Sequence, residues 1–344
     1  MLRWNLKEDI VSTLVVALFT LFIVWFVVTE PTFTAQSTQD KPLHISAKNL
    51  KKHVYTIVEQ FSDRSYENIE VLNKTAEYIH REFSKYSDDV AYQTYKLEEF
   101  VDEKEYEYKN VIANFKGREH CSDGVRIVGA HYDTFSGYAG ANDNTSSVAG
   151  LLELARVLKE TPPRCDVQLV AYTLEEPPAF RTNKMGSYIH AKRLKEQGIK
   201  VKIALVLETI GFYSDEENSQ SYPAPYMEWY YPTKANFIAV VSNLSNILEV
   251  REVKSVLKST SNLPVYSMNA PTFIPGIDFS DHQNYWLFDF PSVMITDTAF
   301  YRSNNYHTQN DKPETLDYEK MAKVVEGAYG VVMEYVCFSD EQKP

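Results

Sequence analysis

The sequence is poor in cysteine, with three thiols in 344 residues, at Cys121, Cys165 and Cys337. None of them has the spacing of a zinc finger. The simplest interpretation is three unpaired thiols. However, Cys121 comes just before the apolar run 125–130, and Cys165 comes just before the run 167–172. If these runs are neighbouring parallel strands, both cysteines lie at one edge of a sheet, and an oxidising compartment would favour a Cys121–Cys165 disulfide.

Basic residues are also scarce relative to acidic ones. The chain has 35 Lys and Arg against 47 Asp and Glu, which gives a net charge of −12. An acidic surface repels phosphate backbones, which argues against nucleic acid as a partner. Apolar residues make up 44% and charged residues 24% of the chain, as in ordinary packed globular proteins. The length allows one large domain or two small ones.

Polar residues are nearly missing between Ile10 and Val28, where Ser12, Thr13 and Thr20 are the exceptions. At about 1.5 Å per helical residue, such a run spans a hydrocarbon core roughly 30 Å thick. The sequence therefore predicts a membrane anchor over residues 1–29 that contacts the lipid bilayer through residues 10–28. A cleavable signal peptide is the alternative, although its apolar region is usually shorter, about 7–15 residues.

The flanks of this run predict its orientation and the division of the chain. Arg3 and Lys7 precede the run, and short basic flanks usually stay in the cytoplasm. We therefore expect a single-pass protein with a cytoplasmic N-terminus and its remainder in the periplasm or the extracellular space. Residues 30–45 are polar and contain two prolines, which indicates a tether. Residues 46–344 would then form the folded domain.

Strands and helices alternate along most of that domain. Short, continuously apolar runs predict buried strands, and runs with apolar residues every three or four positions predict helices. This alternation predicts an α/β fold: a mixed, mostly parallel central sheet sandwiched by helices. The predicted helices are Leu50–Phe61, Ile69–Tyr86, Ser146–Leu158, Met185–Gln197, Phe237–Leu257, Gln283–Phe288 and Asp317–Tyr335; the predicted strands are Val90–Leu97, Tyr106–Phe115, Val125–Ala130, Val167–Thr173, Ile203–Leu207, Val265–Met268 and Ser292–Thr296.

Carboxylates and imidazoles follow the strands of this predicted sheet. Each has an ordinary explanation by itself, because a histidine after a strand is usually a hydrogen-bonded loop residue and an aspartate before a helix is usually an N-cap. Capping does not require five such groups at one sheet edge, however, and crowding them without a cation would be costly through charge repulsion. The five residues are His131, Asp143, Glu176, Glu208 and His307.

Two divalent cations would resolve this crowding. Nitrogen and oxygen ligands without cysteine favour zinc over cobalt or manganese. If Asp143 bridges two ions, His131 and Glu208 complete one site, and Glu176 and His307 complete the other. Each ion then has three protein ligands and an open position for a shared water, the arrangement for attack on a carbonyl.

Two further carboxylates fit supporting roles in such a centre. Glu175 is adjacent to the ligand Glu176 but is not needed as a ligand, so it is the candidate general base. Asp133 lies two residues after His131, on the same side of an extended chain, and can orient the imidazole.

A series of motifs resembles, in order, those of the bacterial leucyl aminopeptidase family of co-catalytic, two-zinc metallopeptidases, which also includes glutamate carboxypeptidases and glutaminyl cyclases. The resemblance extends from about Tyr106 to Val336, and it implies the zinc exopeptidase fold, the ligand roles above and a cis peptide bond after Asp143. The motifs are His131-Tyr132-Asp133, Gly140-Ala141-Asn142-Asp143-Asn144, Glu175-Glu176, Gly186-Ser187, Leu207-Glu208, Ser280-Asp281-His282 and Tyr306-His307-Thr308.

The sequence departs from the family pattern at three places. Asn142 stands where the family often has Asp, and Glu208 stands where many members have Asp. Between Glu176 and Gly186 the chain is longer than in simple members, and this extension is expected to border the active site and shape substrate choice. Glutaminyl cyclases also have a longer loop at this place.

The resemblance also suggests residues that contact substrate. It places Asp281 and His282 near the metal site without making them ligands, although Ser280-Asp281-His282 is also a plausible N-cap of a short helix. The aromatic runs 222–231 and 301–306, which include Tyr306, either line a pocket for an apolar side chain or pack in the core.

The sequence thus predicts a zinc metallopeptidase that acts on a peptide or aminoacyl substrate. We expect an aminopeptidase with two Zn²⁺ ions, in which Glu175 takes a proton from the attacking water. One alternative is a glutaminyl cyclase-like acyltransferase with one zinc ion. The other is a non-catalytic receptor or binding module on a peptidase fold. The preferred side chain and the oligomeric state do not follow from the sequence.

Overall fold

Eight strands form one sheet in the order β1-β2-β4-β3-β5-β8-β6-β7. The strands are β1 (Asp89–Leu97), β2 (Tyr106–Phe115), β3 (Val125–His131), β4 (Val167–Tyr172), β5 (Val201–Glu208), β6 (Ile238–Ser242), β7 (Val265–Asn269) and β8 (Ser292–Thr296). Neighbouring strands pair in parallel within the group β4-β3-β5-β8 and between β6 and β7. The pairings of β1 with β2, of β2 with β4 and of β8 with β6 are antiparallel. The mixed, mostly parallel sheet predicted from the sequence is confirmed.

The structure is a computed structural model that describes residues 6–38, 43–98, 100 and 104–334. The helices in this part of the chain are α1 (Leu6–Thr29), α2 (Ala47–Gln60), α3 (Ile69–Phe83), α4 (Ser147–Glu160), α5 (Gly186–Glu196), α6 (Ile247–Thr260), α7 (His282–Trp286) and α8 (Tyr318–Val332). Arg3, Cys337, residues 39–42 of the predicted tether and the end of the predicted helix Asp317–Tyr335 lie outside the described residues.

Helices cover both faces of the sheet because neighbouring residues of its central strands point to opposite sides. In β3, Val128 packs with the residues of α2, α4 and α8, whereas Ile127 packs with α5 and with Tyr285 of α7. Both residues are fully buried, which explains why the strand reads as a continuous apolar run.

One predicted helix was wrong. The run predicted as the helix Phe237–Leu257 contains the strand β6, a turn and then α6. All five residues of β6 are buried on both faces of the sheet, so the run is continuously apolar and carries no alternation. A short run of this kind has no periodicity that separates strand from helix.

The N-terminal helix α1 is the one helix within the described residues that is long and apolar enough to cross a bilayer, over Ile10–Thr29. The chain that follows it packs against the domain rather than leaving it. Glu30 is fully buried, and the side-chain amide of Gln36 donates to the carbonyl oxygens of Ser261 and Leu263, at 2.7 and 2.9 Å. The stretch predicted as a tether therefore makes specific contacts with the loop after α6.

The structure joins Cys121 and Cys165 by a disulfide with a Cα–Cα distance of 5.6 Å. The two cysteines precede β3 and β4, which pair in parallel, so they lie at the edge of the sheet opposite the carboxyl ends of these strands.

Candidate metal centre

The carboxyl ends of three neighbouring parallel strands meet at the centre of the sheet, where they deliver polar side chains. His131 ends β3 and Glu208 ends β5, whereas Glu175 and Glu176 follow β4 after a tight turn at Leu174, whose φ is 57°. The register pairs His131 with the last residue of β4, which brings these groups together. All of these side chains are buried.

Asp143 lies between two histidines and offers one oxygen to each. Its Oδ1 is 3.3 Å from His131 Nε2, and its Oδ2 is 3.0 Å from His307 Nε2. His131 Nε2 is also 3.3 Å from Glu208 Oε2, and His307 Nε2 is 3.2 Å from Glu176 Oε1. Two three-residue groups therefore share Asp143, and within each group the candidate ligand atoms lie within 4.8 Å of one another.

The orientation of these atoms suits cations. His131 Nε2, His307 Nε2 and Glu176 Oε1 are buried and have no hydrogen-bond partner among the described residues. His131 Nδ1 lies 3.1 Å from the main-chain oxygen of Asp133 and can donate its N–H to that oxygen. In that tautomer Nε2 carries the lone pair, on the side of the ring that faces the carboxylates of Asp143 and Glu208. Donor atoms held in this way fit divalent metal ions with nitrogen and oxygen ligands.

The crowding of carboxylates shifts the ionisation of the whole cluster. Burial, together with the charges of Glu176 and Glu208, raises the pKa of Glu175 well above its ordinary value. Burial works against the charged form of His307, but the close carboxylates of Asp143 and Glu176 outweigh it and raise the pKa of His307 to about 10. The site therefore attracts positive charge, as a proton or as a metal ion.

Asp133 holds the turn that carries the two glutamates. Its Oδ1 and Oδ2 accept the main-chain N–H groups of Glu175 and Glu176, each at 3.0 Å. The same carboxylate lies 3.4 Å from His131 Nδ1. Asp133 thus contacts the imidazole, as the sequence suggests, and it also positions both glutamates.

The loop that presents Asp143 is held by residues that sequence reasoning missed. Asp311 accepts the main-chain N–H groups of Asn142 and Asp143, at 2.8 and 3.0 Å. Fully buried Arg64 donates to the carbonyl oxygens of Ala139 and Gly140, at 2.9 and 3.3 Å. The peptide bond after Asp143 is cis, as the family resemblance implies.

Two smaller contacts explain departures from the family pattern. Asn142 donates to Asp297 Oδ2 at 2.9 Å and accepts the N–H of Gly211 at 2.8 Å, so an amide suits this position where a second carboxylate would repel Asp297. The Oγ of Ser280 donates to Glu208 Oε2 at 2.7 Å and restrains the longer carboxylate. Ser280 belongs to the motif Ser280-Asp281-His282, but the sequence alone assigns no role to its hydroxyl.

Asp281 and His282 occupy different surroundings. Asp281 is fully buried, its carboxylate oxygens have no hydrogen-bond partner within the described ranges, and burial raises its pKa to about 7. His282 Nε2 donates to the carbonyl oxygen of Ile277 at 2.7 Å, and its ring meets that of Trp286 edge-on. These contacts hold His282 at the start of α7 rather than in the ligand cluster.

An apolar cleft opens beside the cluster. Tyr222, Tyr231, Tyr301 and Tyr306 line it, so both aromatic runs contribute, and Glu208 also lines it. The Tyr306 ring also stacks on the His307 imidazole with 3.9 Å between ring centroids, which steadies that side chain.

The extension after Glu176 reaches the rim of the same cleft. The guanidinium of Arg181 lies 4.8 Å from the ring centroid of Phe279, which lines the cleft, and it pairs with Asp278. The Phe180 ring meets Phe279 edge-on with 6.0 Å between centroids. The extension therefore borders the site, as expected from the sequence.

Comparison with known proteins agrees with this geometry. The sequence pattern of Peptidase family M28 matches residues 110–332. The chain is 46% identical to the uncharacterized protein YfbL of Escherichia coli over 295 residues, which cover 83% of this chain and 87% of that protein. It is 24% identical to a probable leucine aminopeptidase of Arthroderma otae over 311 residues, which cover 86% and 74% of the two chains.

Solved structures share the fold at low sequence identity. A leucine aminopeptidase precursor from Bacteroides thetaiotaomicron matches with a TM-score of 0.64 at 16% identity, over 87% of this chain and 99% of that one. The glutaminyl cyclase of Porphyromonas gingivalis matches with a TM-score of 0.63 at 17% identity, over 85% and 99%. Similarity at this level concerns the fold and does not separate the two activities.

Proposed function

This chain belongs to peptidase family M28, and from that premise we propose that it is a two-zinc aminopeptidase, which removes the N-terminal residue of peptides. The observation that carries the proposal is the shared position of Asp143. Its two oxygens face two separate imidazoles, and each imidazole faces one further glutamate. This is the ligand distribution that a pair of bridged metal ions requires.

The residues divide into the roles expected for peptide hydrolysis. His131, Asp143 and Glu208 would hold one ion, and Asp143, Glu176 and His307 would hold the other. Bound zinc would polarise the scissile carbonyl and make water acidic enough to attack at neutral pH.

Glu175 is the proposed proton carrier. Its Oε2 lies 3.9 Å from His131 Nε2, so its carboxylate borders the first group without completing either group. In this role Glu175 accepts the proton of the attacking water and passes it to the leaving amine. Asp133 contributes by holding the N–H groups of the turn in which Glu175 lies.

The cleft supports a preference for apolar N-terminal side chains. Its wall is aromatic and aliphatic, and Glu208 belongs both to this wall and to the proposed metal site. A substrate side chain in this cleft would bring its own carbonyl group next to the cluster. The rest of the peptide, beyond its N-terminal residue, would lie at the open side of the cleft, near the extension that carries Arg181.

A glutaminyl cyclase is the second candidate activity. The overall fold matches solved cyclases as well as it matches an aminopeptidase, and the longer chain between Glu176 and Gly186 favours this reading. A binding module on a peptidase fold is less consistent with the site, because such proteins lose ligands and here both three-residue groups are complete.

We further propose that α1 spans a membrane with the N-terminus in the cytoplasm and the peptidase domain outside it. The length and composition of Ile10–Thr29 support the span. The Cys121–Cys165 disulfide supports an oxidising compartment for the domain.

The test uses the full chain purified in detergent. Release of free amino acid would be measured from aminoacyl amides and dipeptides with a free N-terminus and from the same compounds with an acetylated N-terminus, with and without a chelator. Chelator-sensitive release from the free substrates alone, restored by zinc, is expected. Cleavage of the acetylated substrates would refute aminopeptidase specificity, and cyclisation of a glutaminyl peptide without hydrolysis would favour the second candidate. Metal analysis separates the two further, because the aminopeptidase should bind two ions per chain.

A further inference from the structure

The junction between α1 and the domain is held by a buried polar cluster. The Nζ of Lys254, in α6, donates to the main-chain oxygens of Thr29 and Glu30 at 2.7 and 3.0 Å and to Ser267 Oγ at 3.0 Å. Ser267 Oγ in turn donates to the oxygen of Thr29 at 2.8 Å. These bonds cap the last carbonyls of α1 with side chains of the domain, so the end of the helix is fixed in place.

The chain beyond the junction continues along α6. Lys258 Nζ donates to Thr32 Oγ1 at 3.1 Å, and the N–H of Ser37 donates to the carbonyl oxygen of Lys258 at 2.8 Å. The amide of Gln36 reaches the oxygen of Ser261 at 2.7 Å, just past the end of α6. A flexible tether would not make this series of hydrogen bonds, so the bonds indicate a rigid connection between α1 and the domain.

The order of these contacts gives the direction in which α1 leaves. Gln36 lies at the C-terminal end of α6, Glu30 lies beside Lys254, and the ring of Phe26 lies 5.5 Å from the guanidinium of Arg251. Moving back along the chain therefore means moving toward the N-terminal end of α6. The membrane-spanning part of α1 continues past that end.

Exposed apolar side chains lie at this end of α6. Leu244, in the turn just before α6, is 44% exposed, and Leu248, in the first turn of α6, is 73% exposed. We call Leu244 and Leu248 the juxtamembrane patch. Neighbouring exposed apolar side chains beside a membrane span fit a contact with its lipid surface.

The catalytic edge lies at the other end of the sheet. Strand β6 runs antiparallel to β8, whereas β8 is parallel to β5 and β3. The carboxyl end of β6, next to Leu244, is therefore opposite to the carboxyl ends that carry His131 and Glu208.

We propose that α1 and the peptidase domain form one rigid unit, in which the juxtamembrane patch rests on the bilayer that α1 spans and the catalytic edge faces away from it. The occupant of the patch is the lipid surface because the spanning helix leaves the domain beside these side chains. Apolar side chains at such a position sink into the boundary between headgroups and acyl chains. The substrates are then soluble peptides that arrive from the aqueous side. This inference rests on the proposed span of α1.

The test is fluorescence quenching by lipids in reconstituted vesicles. The full chain would carry Cys337→Ser and, one at a time, Leu248→Cys, Phe300→Cys or Gln309→Cys, each labelled with an environment-sensitive dye. Phe300, which is 42% exposed, is an apolar control that follows the carboxyl end of β8, and Gln309 lies beside the catalytic edge. Phosphatidylcholine vesicles with spin-labelled acyl chains should quench the dye at Leu248→Cys severalfold more than at the other two positions.

The clamp is tested by adding Lys254→Met to the Leu248→Cys protein, with Lys192→Met on the exposed face of α5 as its control. Lys254→Met should reduce the quenching at Leu248→Cys toward that at Phe300→Cys, and Lys192→Met should not. Equal quenching at all three positions, in protein that floats with the vesicles, would overturn the proposed orientation alone. Protein that does not float would refute the membrane span and the patch together. A dye that is shielded but not quenched by lipid would show that another protein surface, such as a second copy, covers the patch, and would also overturn the proposal. Peptidase activity is not part of the readout, so the result is independent of the proposed reaction.

Discussion

Replacement of Glu175 by glutamine separates the proposed proton carrier from the proposed metal ligands. Glutamine keeps the shape of the buried side chain but cannot accept a proton. A positioned general base contributes about 10²–10⁴ in rate, which corresponds to about 3–5 kcal/mol of the activation barrier. Because the side chain of Glu175 is outside both three-residue groups, Glu175→Gln should lower kcat by this factor and retain its metal.

The matched control is the same change at the adjacent position. Glu176 Oε1 faces His307 Nε2 at 3.2 Å and completes the second group, so Glu176→Gln should lose bound metal as well as turnover. Hydrolysis of a leucyl amide by each variant would be measured at saturating zinc, with metal content measured on the same samples. Near-normal turnover by Glu175→Gln would remove it as the base, and loss of metal equal to that of Glu176→Gln would make it a ligand instead.

Three further changes test other parts of the structure. Ser280→Ala removes the hydroxyl that donates to Glu208 Oε2 at 2.7 Å, and metal affinity should fall about 10–100-fold in calorimetric titration, whereas unchanged affinity would show that Glu208 needs no such restraint. Cys121→Ser opens the bond to Cys165 across a separation of 44 residues, which should lower the free energy of unfolding by about 2–4 kcal/mol in urea titrations while kcat is unchanged. Burial lowers the pKa of His190 to about 3 from its ordinary 6.5, so between these values the unfolded chain binds more protons and stability falls as the pH falls. His190→Gln should reduce that dependence by about 1.4 kcal/mol per pH unit in unfolding experiments between about pH 6 and pH 4.5, and an unaltered slope would refute the assignment.

The grouping of the site could be predicted because it depends on local order along the chain. His131, Asp143, Glu176 and Glu208 follow strands or precede a helix, and parallel strands bring their carboxyl ends to one edge. His307 was found in the same way, after the last strand. The residue types and the strand order along the chain therefore carried the prediction.

The residues that support the site could not be found in this way. Asp311 holds the N–H of Asn142 although 169 positions separate them, and nothing near Asp311 in the sequence indicates this pairing. Arg64 reaches the same loop from the segment between α2 and α3, where a basic residue reads as an exposed turn. The strand β6 was missed because a short, fully buried run has neither helical nor alternating periodicity.

The sequence by itself determined the apolar span, the alternation of strands and helices, and the set of imidazoles and carboxylates at the strand ends, because these depend on residue type and on spacing within a few positions. The tertiary structure decided which oxygen of Asp143 faces His131 and which faces His307, and it decided that Glu30 is buried where the chain after α1 meets the domain. These features depend on contacts between segments that are far apart in the chain. Their geometry arises only when packing of the core has brought those segments together.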